Sequence, residues 1–167
     1  PPAVEVLVPP GDTVMLENVV ESLFHTQAFG ALRVTCPAQK LLVTSRVFSR
    51  TAGEGDADSV GQDFAAVPAA FAIGSGDRAQ VLGVHQTTPH QDSDFRFNFG
   101  FVETTGHIAT VRVTAFDELG AEQGATELQI REFSQRQVAV KDHFPDLSLA
   151  NARLELEVVS GSGKVIA

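Results

Sequence analysis

Residues 95–102 read Phe95-Arg96-Phe97-Asn98-Phe99-Gly100-Phe101-Val102, and this stretch decides the fold. Four rings alternate with Arg96, Asn98 and Gly100, and the period of two in an extended strand sends every ring to one face and the polar groups to the other. A helix would scatter them. Full burial of a ring contributes roughly 1.5–3 kcal/mol, so a strand carrying four of them belongs in the middle of a core. The stretch predicts a β-domain assembled around it.

Composition sets the outer bounds. The chain of 167 residues is long enough to bury one sizeable core without metals or disulfides. Twelve basic against 21 acidic residues give a formal net charge of −9, which repels phosphate backbones and anionic membrane surfaces. Nucleic acid is therefore not an expected partner. No apolar run approaches the roughly 18 residues of a membrane span, so membrane insertion is not expected either. Cys36 is the single cysteine, which rules out an internal disulfide and leaves the compartment open.

Outward from the Phe stretch the pattern stays β-like. Residues 4–8 and 13–16 read as strands joined by a turn at Pro9-Pro10-Gly11-Asp12. Asn18 offers an N-cap for at most two helical turns, with Glu21 in the first turn and Val19, Val20, Leu23 and Phe24 on an apolar face. Residues 31–35 and 41–48 are strand-like and expected to pair across the turn at Pro37. Residues 49–63 form an exposed loop rich in Gly, Ser, Asp and Glu, and Pro68 makes residues 64–73 irregular. A short strand at 81–85 and a polar connection to Asp94 lead into the Phe strand. Beyond it, residues 107–116 alternate as a half-buried strand, residues 117–120 turn, and residues 126–130 return.

The end of the chain repeats its beginning. A shift of 124 maps Val14 onto Val138, Leu16 onto Val140, Leu32 onto Leu156, Val34 onto Val158, Lys40 onto Lys164 and Leu42 onto Ile166, while residues 4–8 match 126–130 at a shift of 122. This is an internal repeat of strand, turn, strand, short helix, strand, turn and strand, weak in identities. The first copy lacks the two strands that precede the second. Its edge at 4–8 is expected to take upstream residues, the 64–84 segment or a second molecule, with edge-strand self-association as the hazard.

Several of these stretches carry a resemblance: Gly30-Ala31-Leu32-Arg33-Val34-Thr35, Leu41-Leu42-Val43-Thr44-Ser45-Arg46, Val81-Leu82-Gly83-Val84 and the Phe strand. Together they resemble an uncharacterised family of bacterial modules found in secreted and surface proteins. In that family the last stretch usually reads Phe-Arg-Thr-Asn-Leu-Gly-Leu-Val-Asn, whereas here Phe97, Phe99 and Phe101 replace smaller residues and Glu103 replaces the Asn. The resemblance implies a β-sandwich and an extracytoplasmic address. It brings no catalytic residues.

Candidate chemistry is sparse. His85, His90, Asp92 and Asp94 share one polar connection, and imidazole with carboxylate is zinc-type ligation, although the spacing matches no standard site and a solvated loop is the simpler reading. Asp56-Ala57-Asp58-Ser59-Val60-Gly61 opens like a calcium loop, yet Val60 and Val67 fall where oxygen ligands are required. No resident cofactor is expected; calcium stays in play because surface β-domains often bind it. Asp142-His143 lacks the nucleophile elbow of a hydrolase, and Cys36 reads as a small turn residue. Arg96 and Asn98 share the face opposite the rings, either contacting a ligand or bonding to neighbouring backbone. With neither Trp nor Tyr in the chain, a sugar-stacking platform would have to be made of Phe.

The sequence thus predicts an all-β, antiparallel β-sandwich with one or two short helices. It is one domain over 1–167, with a partial repeat at 1–48, connecting loops and a short strand at 49–94, and a complete repeat at 95–167. The expected function is a non-enzymatic structural or adhesive module of a secreted or cell-surface bacterial protein, engaging a protein or surface ligand. The alternatives are a carbohydrate- or calcium-dependent binding module and a hydrolase using His and Asp.

Overall fold

The computed structural model describes residues 2–37, 40–49, 60–86 and 97–167, and Phe95 and Arg96 lie outside them. In chain order the elements begin with α1 (Val19–Phe24), β1 (Thr44–Ser49), β2 (Val60–Ala65), a 3-10 turn at Ala69–Phe71, and β3 (Arg78–Gln86). There follow β4 (Asn98–Glu103), β5 (Ala109–Phe116), β6 (Glu122–Ile130) and β7 (Gln135–Ala139). Helix α2 (Val140–His143), β8 (Leu149–Gly161) and β9 (Val165–Ile166) complete the chain. The fold is all-β and antiparallel, a sandwich-like arrangement with two short helices.

One layer has strand order β3-β8-β5-β6 and the other β7-β4-β9, each built from antiparallel pairs. The Phe strand is the centre of the smaller layer. Its alternation holds: Phe99 and Phe101 are buried, Phe97 packs half-buried against the same cluster, and Asn98 is exposed on the opposite face. Opposite it, β8 and β5 supply the other wall. Leu154, Leu156 and Val158 alternate inward with Arg153, Glu155 and Glu157 outward, and Ala109, Val111, Val113 and Ala115 are fully buried in β5. β-branched and small residues at every second position suit a pleated face closed by a second sheet.

Gly161 shows how closely neighbouring strands of the larger layer approach. It adopts φ +88°, and a Cβ there would sit 2.2 Å from the Ile108 carbonyl oxygen, so any side chain would break the approach of β8 to the start of β5.

Strands β3 and β6 run longer than the expected 81–85 and 126–130, while β4 and β5 are shorter at their starts than the expected 95–102 and 107–116. The earlier part of the chain differs. Residues 4–8, 13–16 and 31–35 form no strand, and their apolar side chains stand exposed. A strand needs a partner to satisfy its backbone, and none lies beside these segments among the described residues. Residues 31–35 therefore do not pair with 41–48; β1 pairs instead with β2, whose first residues fall in the expected loop. The core cluster draws its residues from Ile73 to Val165, and none of the described residues before Ile73 belongs to it. The turn at Pro9 and the short helix at α1 do form as read, the Asp12 N–H donating to the Pro9 carbonyl at 3.1 Å.

Phe101→Ala removes a ring that is 2% exposed and is expected to cost roughly 3–5 kcal/mol, read by chemical denaturation. Leu119→Ala, at a residue 89% exposed, is the control and should change stability by less than about 0.5 kcal/mol. Equal effects of the two would contradict the placement of the core.

Candidate functional site

The inward period of β4 does not end with its rings. Phe99, Phe101 and Glu103 point to the same side, and Glu103 is 1% exposed, a carboxylate at a position the alternation reserves for apolar groups. Burying an ion is costly unless its lone pairs are met by donors. Here they are met fully. Oε1 accepts from the Thr105 N–H at 2.7 Å, from the Thr105 hydroxyl and from the Lys164 N–H at 3.2 Å. Oε2 accepts from the Gly106 N–H at 2.7 Å and the Phe133 N–H at 3.0 Å.

Those donors come from three different connections: β4 to β5, β6 to β7, and β8 to β9. One carboxylate therefore ties three turns at one end of the sandwich. Gly106 makes its part possible, since it holds φ +81° and a Cβ would lie 2.6 Å from the Phe133 ring. Around the cage the Glu103 N–H donates to the Ser134 carbonyl at 2.9 Å, and the Thr104 N–H to the Lys164 carbonyl at 2.9 Å.

Burial pushes the Glu103 carboxyl up, but the Thr105 hydroxyl and the N–H groups of Phe133, Thr105 and Gly106 outweigh it and hold the group at about 2, below its ordinary 4.5. Five donors on about four lone-pair sites leave no lone pair for a substrate or cation. At neutral pH the group has no proton to give. Glu103 is a structural anion.

The second built surface is the outward face of the larger sheet. Register aligns Arg78, Glu157, Arg112 and Glu127 in one row across β3, β8, β5 and β6, with charge alternating along it. Arg78 reaches Glu157 at 3.1 Å and Glu155 at 3.2 Å, and Arg112 reaches Glu127 at 2.8 Å. Four residues along, Arg153 lies over the Phe116 ring at 3.9 Å. A shallow groove of 370 Å³ runs over this face. Its arginines are each paired with glutamates, a ladder of cross-strand pairs that leaves no cation of the row free for an anionic ligand.

The expected site residues fare as follows. Arg96, His90, Asp92, Asp94, Asp56 and Asp58 lie outside the described residues. Asn98 is exposed in β4, on the face away from the core. His85 is half-buried near the end of β3. Its neighbour Gln86 is buried and donates to the Phe144 and Leu147 carbonyls at 3.0 and 2.8 Å, which fastens the end of β3 to the turn after α2. His143 is half-buried in α2, Asp142 is exposed, and Cys36 is an exposed free thiol. Among the described residues no three metal-ligating side chains converge.

Glu103 and Gln86 are the residues that sequence reasoning passed over. The signal for Glu103 was present, since an acid two positions beyond Phe101 continues the inward face. For Gln86 a bulged register in β3 carries the side chain inward, and no periodicity announces that. No family model, curated protein or solved structure matches the chain.

Because the folded value of Glu103 lies below the ordinary one, its contribution to stability is fully present above about pH 4.5 and is lost as pH falls through about 2. Glu103→Gln leaves at least one buried N–H without an acceptor and should cost roughly 2–4 kcal/mol at pH 7. Thermal melts of the parent should fall steeply between pH 4.5 and 2 beyond the fall shown by the variant. Parallel pH profiles would contradict the assignment.

Proposed function

We propose that the protein is a non-enzymatic structural or adhesive module of a secreted or cell-surface bacterial protein, a rigid β-scaffold that presents loops. The observation that carries this reading is the Glu103 cage: the most elaborate polar arrangement among the described residues is spent on fixing three turns against one another. A scaffold that holds loops in place gains from that rigidity, because loops fixed before contact lose less entropy on binding. The extracytoplasmic address comes from the resemblance to bacterial surface modules. The matched charges on the outer sheet face fit a solvated wall, and the acidic balance of the chain fits a partner other than nucleic acid.

Cys36 gives the test. It is exposed, and in the repeat it aligns with Ser160, which is exposed as well. In the bacterium that makes the protein, a membrane-impermeant maleimide should label Cys36 on intact cells or in their medium. Labelling that requires lysis would overturn the address.

A further inference from the structure

The largest unexplained feature is the segment from residue 4 to residue 43, which carries many apolar side chains and buries none of those described. Val6, Val8, Leu16, Leu32, Val34 and Leu41 are all exposed, from 36% at Val8 to 56% at Val34. A chain rarely keeps so many apolar groups in water without a use for them.

What covers them can be read from the other end of the same chain. Moved by 122 positions, Val6 and Val8 fall on Leu128 and Ile130; moved by 124, Leu16, Leu32, Val34 and Leu41 fall on Val140, Leu156, Val158 and Val165. Every one of those counterparts is buried. Leu149 and Leu154 meet His25 and Gly30 instead, so the match weakens where β8 begins. The local backbone agrees independently at the first turn. The Asp12 N–H donates to Pro9 and the Ser134 N–H to Arg131, and the third residue of each turn is left-handed, Gly11 at φ 80° and Phe133 at φ 49°. Two turns of the same hand, in the same place relative to the same apolar positions, ask for the same surroundings.

In the described fold those surroundings are β3, β4 and β5. β5 lies between β6 and β8, β3 pairs with β8, and β4 pairs with β7 and β9. β4 also brings Glu103, whose carboxylate takes the N–H groups of Phe133 and Lys164. The positions aligned with those two donors are Gly11 and Lys40, the second an identical residue.

We propose that residues 4–43 are the closing half of a second sandwich unit, and that their occupant is a three-strand set of the class of β3, β4 and β5. That partner is defined by its chemistry: antiparallel strands with one alternating apolar face and an inward carboxylate at the end of the strand corresponding to β4, which receives the N–H groups of Gly11 and Lys40. The proposal rests on the reading of the chain as a structural module and adds the partner that such a module takes; it concerns strand pairing, which the labelling of Cys36 does not report.

The test supplies this partner from the chain itself. A second copy of residues 66–123 is placed directly before Pro2, which reproduces the native spacing because Pro2 aligns with Gly124 at the shift of 122. Hydrogen exchange is then followed at residues 4–43, with residues 126–166 of the intact unit as internal reference. Expected is a slowing of at least about 100-fold at Val6, Val8, Gly11 and Lys40 relative to the parent chain. A second extended chain carries Glu103→Gln in the added copy only, and should lose protection at Gly11 and Lys40 while the reference unit keeps its own. Unprotected amides across 4–43 in the extended chain would overturn the proposal. So would a parent chain already protected there, whether as a monomer or as a dimer of two copies.

Discussion

A buried carboxylate with no counter-ion among the described residues holds one end of this protein together. Glu103 sits at an inward position of β4, and its stability depends on N–H groups from connections far apart in sequence, at Thr105, Gly106, Phe133 and Lys164. The dependence runs both ways. Without the carboxylate the Gly106 and Phe133 N–H groups lose their acceptor, and the Lys164 N–H keeps only the Thr105 hydroxyl at 3.1 Å; without all three turns in place the ion has no solvation. The positive φ at Gly106 and at Phe133 belongs to the same constraint, since each turn must aim its amide inward.

From that end the rest of the sandwich follows. Fixing the connections β4 to β5, β6 to β7 and β8 to β9 sets the ends of both layers, and the alternating faces of β4, β5 and β8 close over Phe99, Phe101, Val111, Leu154 and Leu156. At the other side Gln86 plays a smaller version of the part, satisfying two carbonyls after α2. The outward charges of the larger sheet are arranged by register rather than by burial, and exposed pairs of this kind contribute little individually. Specificity of fold comes from the buried polar groups and the core, not from the ladder.

Much of this was legible in the sequence because it rests on period two. The Phe stretch and residues 107–116 each declare a face, and over the described residues the structure places those faces as read. Two things were not legible from local pattern. Residues 4–8, 13–16 and 31–35 have strand sequences without strand structure, because pairing is a property of two segments and their partners are not beside them among the described residues. The role of Glu103 was hidden for a related reason: its donors are backbone N–H groups, which carry no residue identity, so only the acceptor leaves a mark in the sequence. An acid in phase with buried rings is that mark.

Amide exchange in the parent protein tests the Glu103 constraint most directly. The amides of Gly106, Phe133 and Lys164 lie in turns, where exchange is ordinarily fast, yet their partner is a buried carboxylate. They should exchange only on global unfolding, at rates matching the core amide of Val113 and far slower than exposed Leu119, whose N–H donates to the half-buried Asp117 carboxylate. Exchange of Phe133 and Lys164 as fast as that of Leu119 would contradict the account.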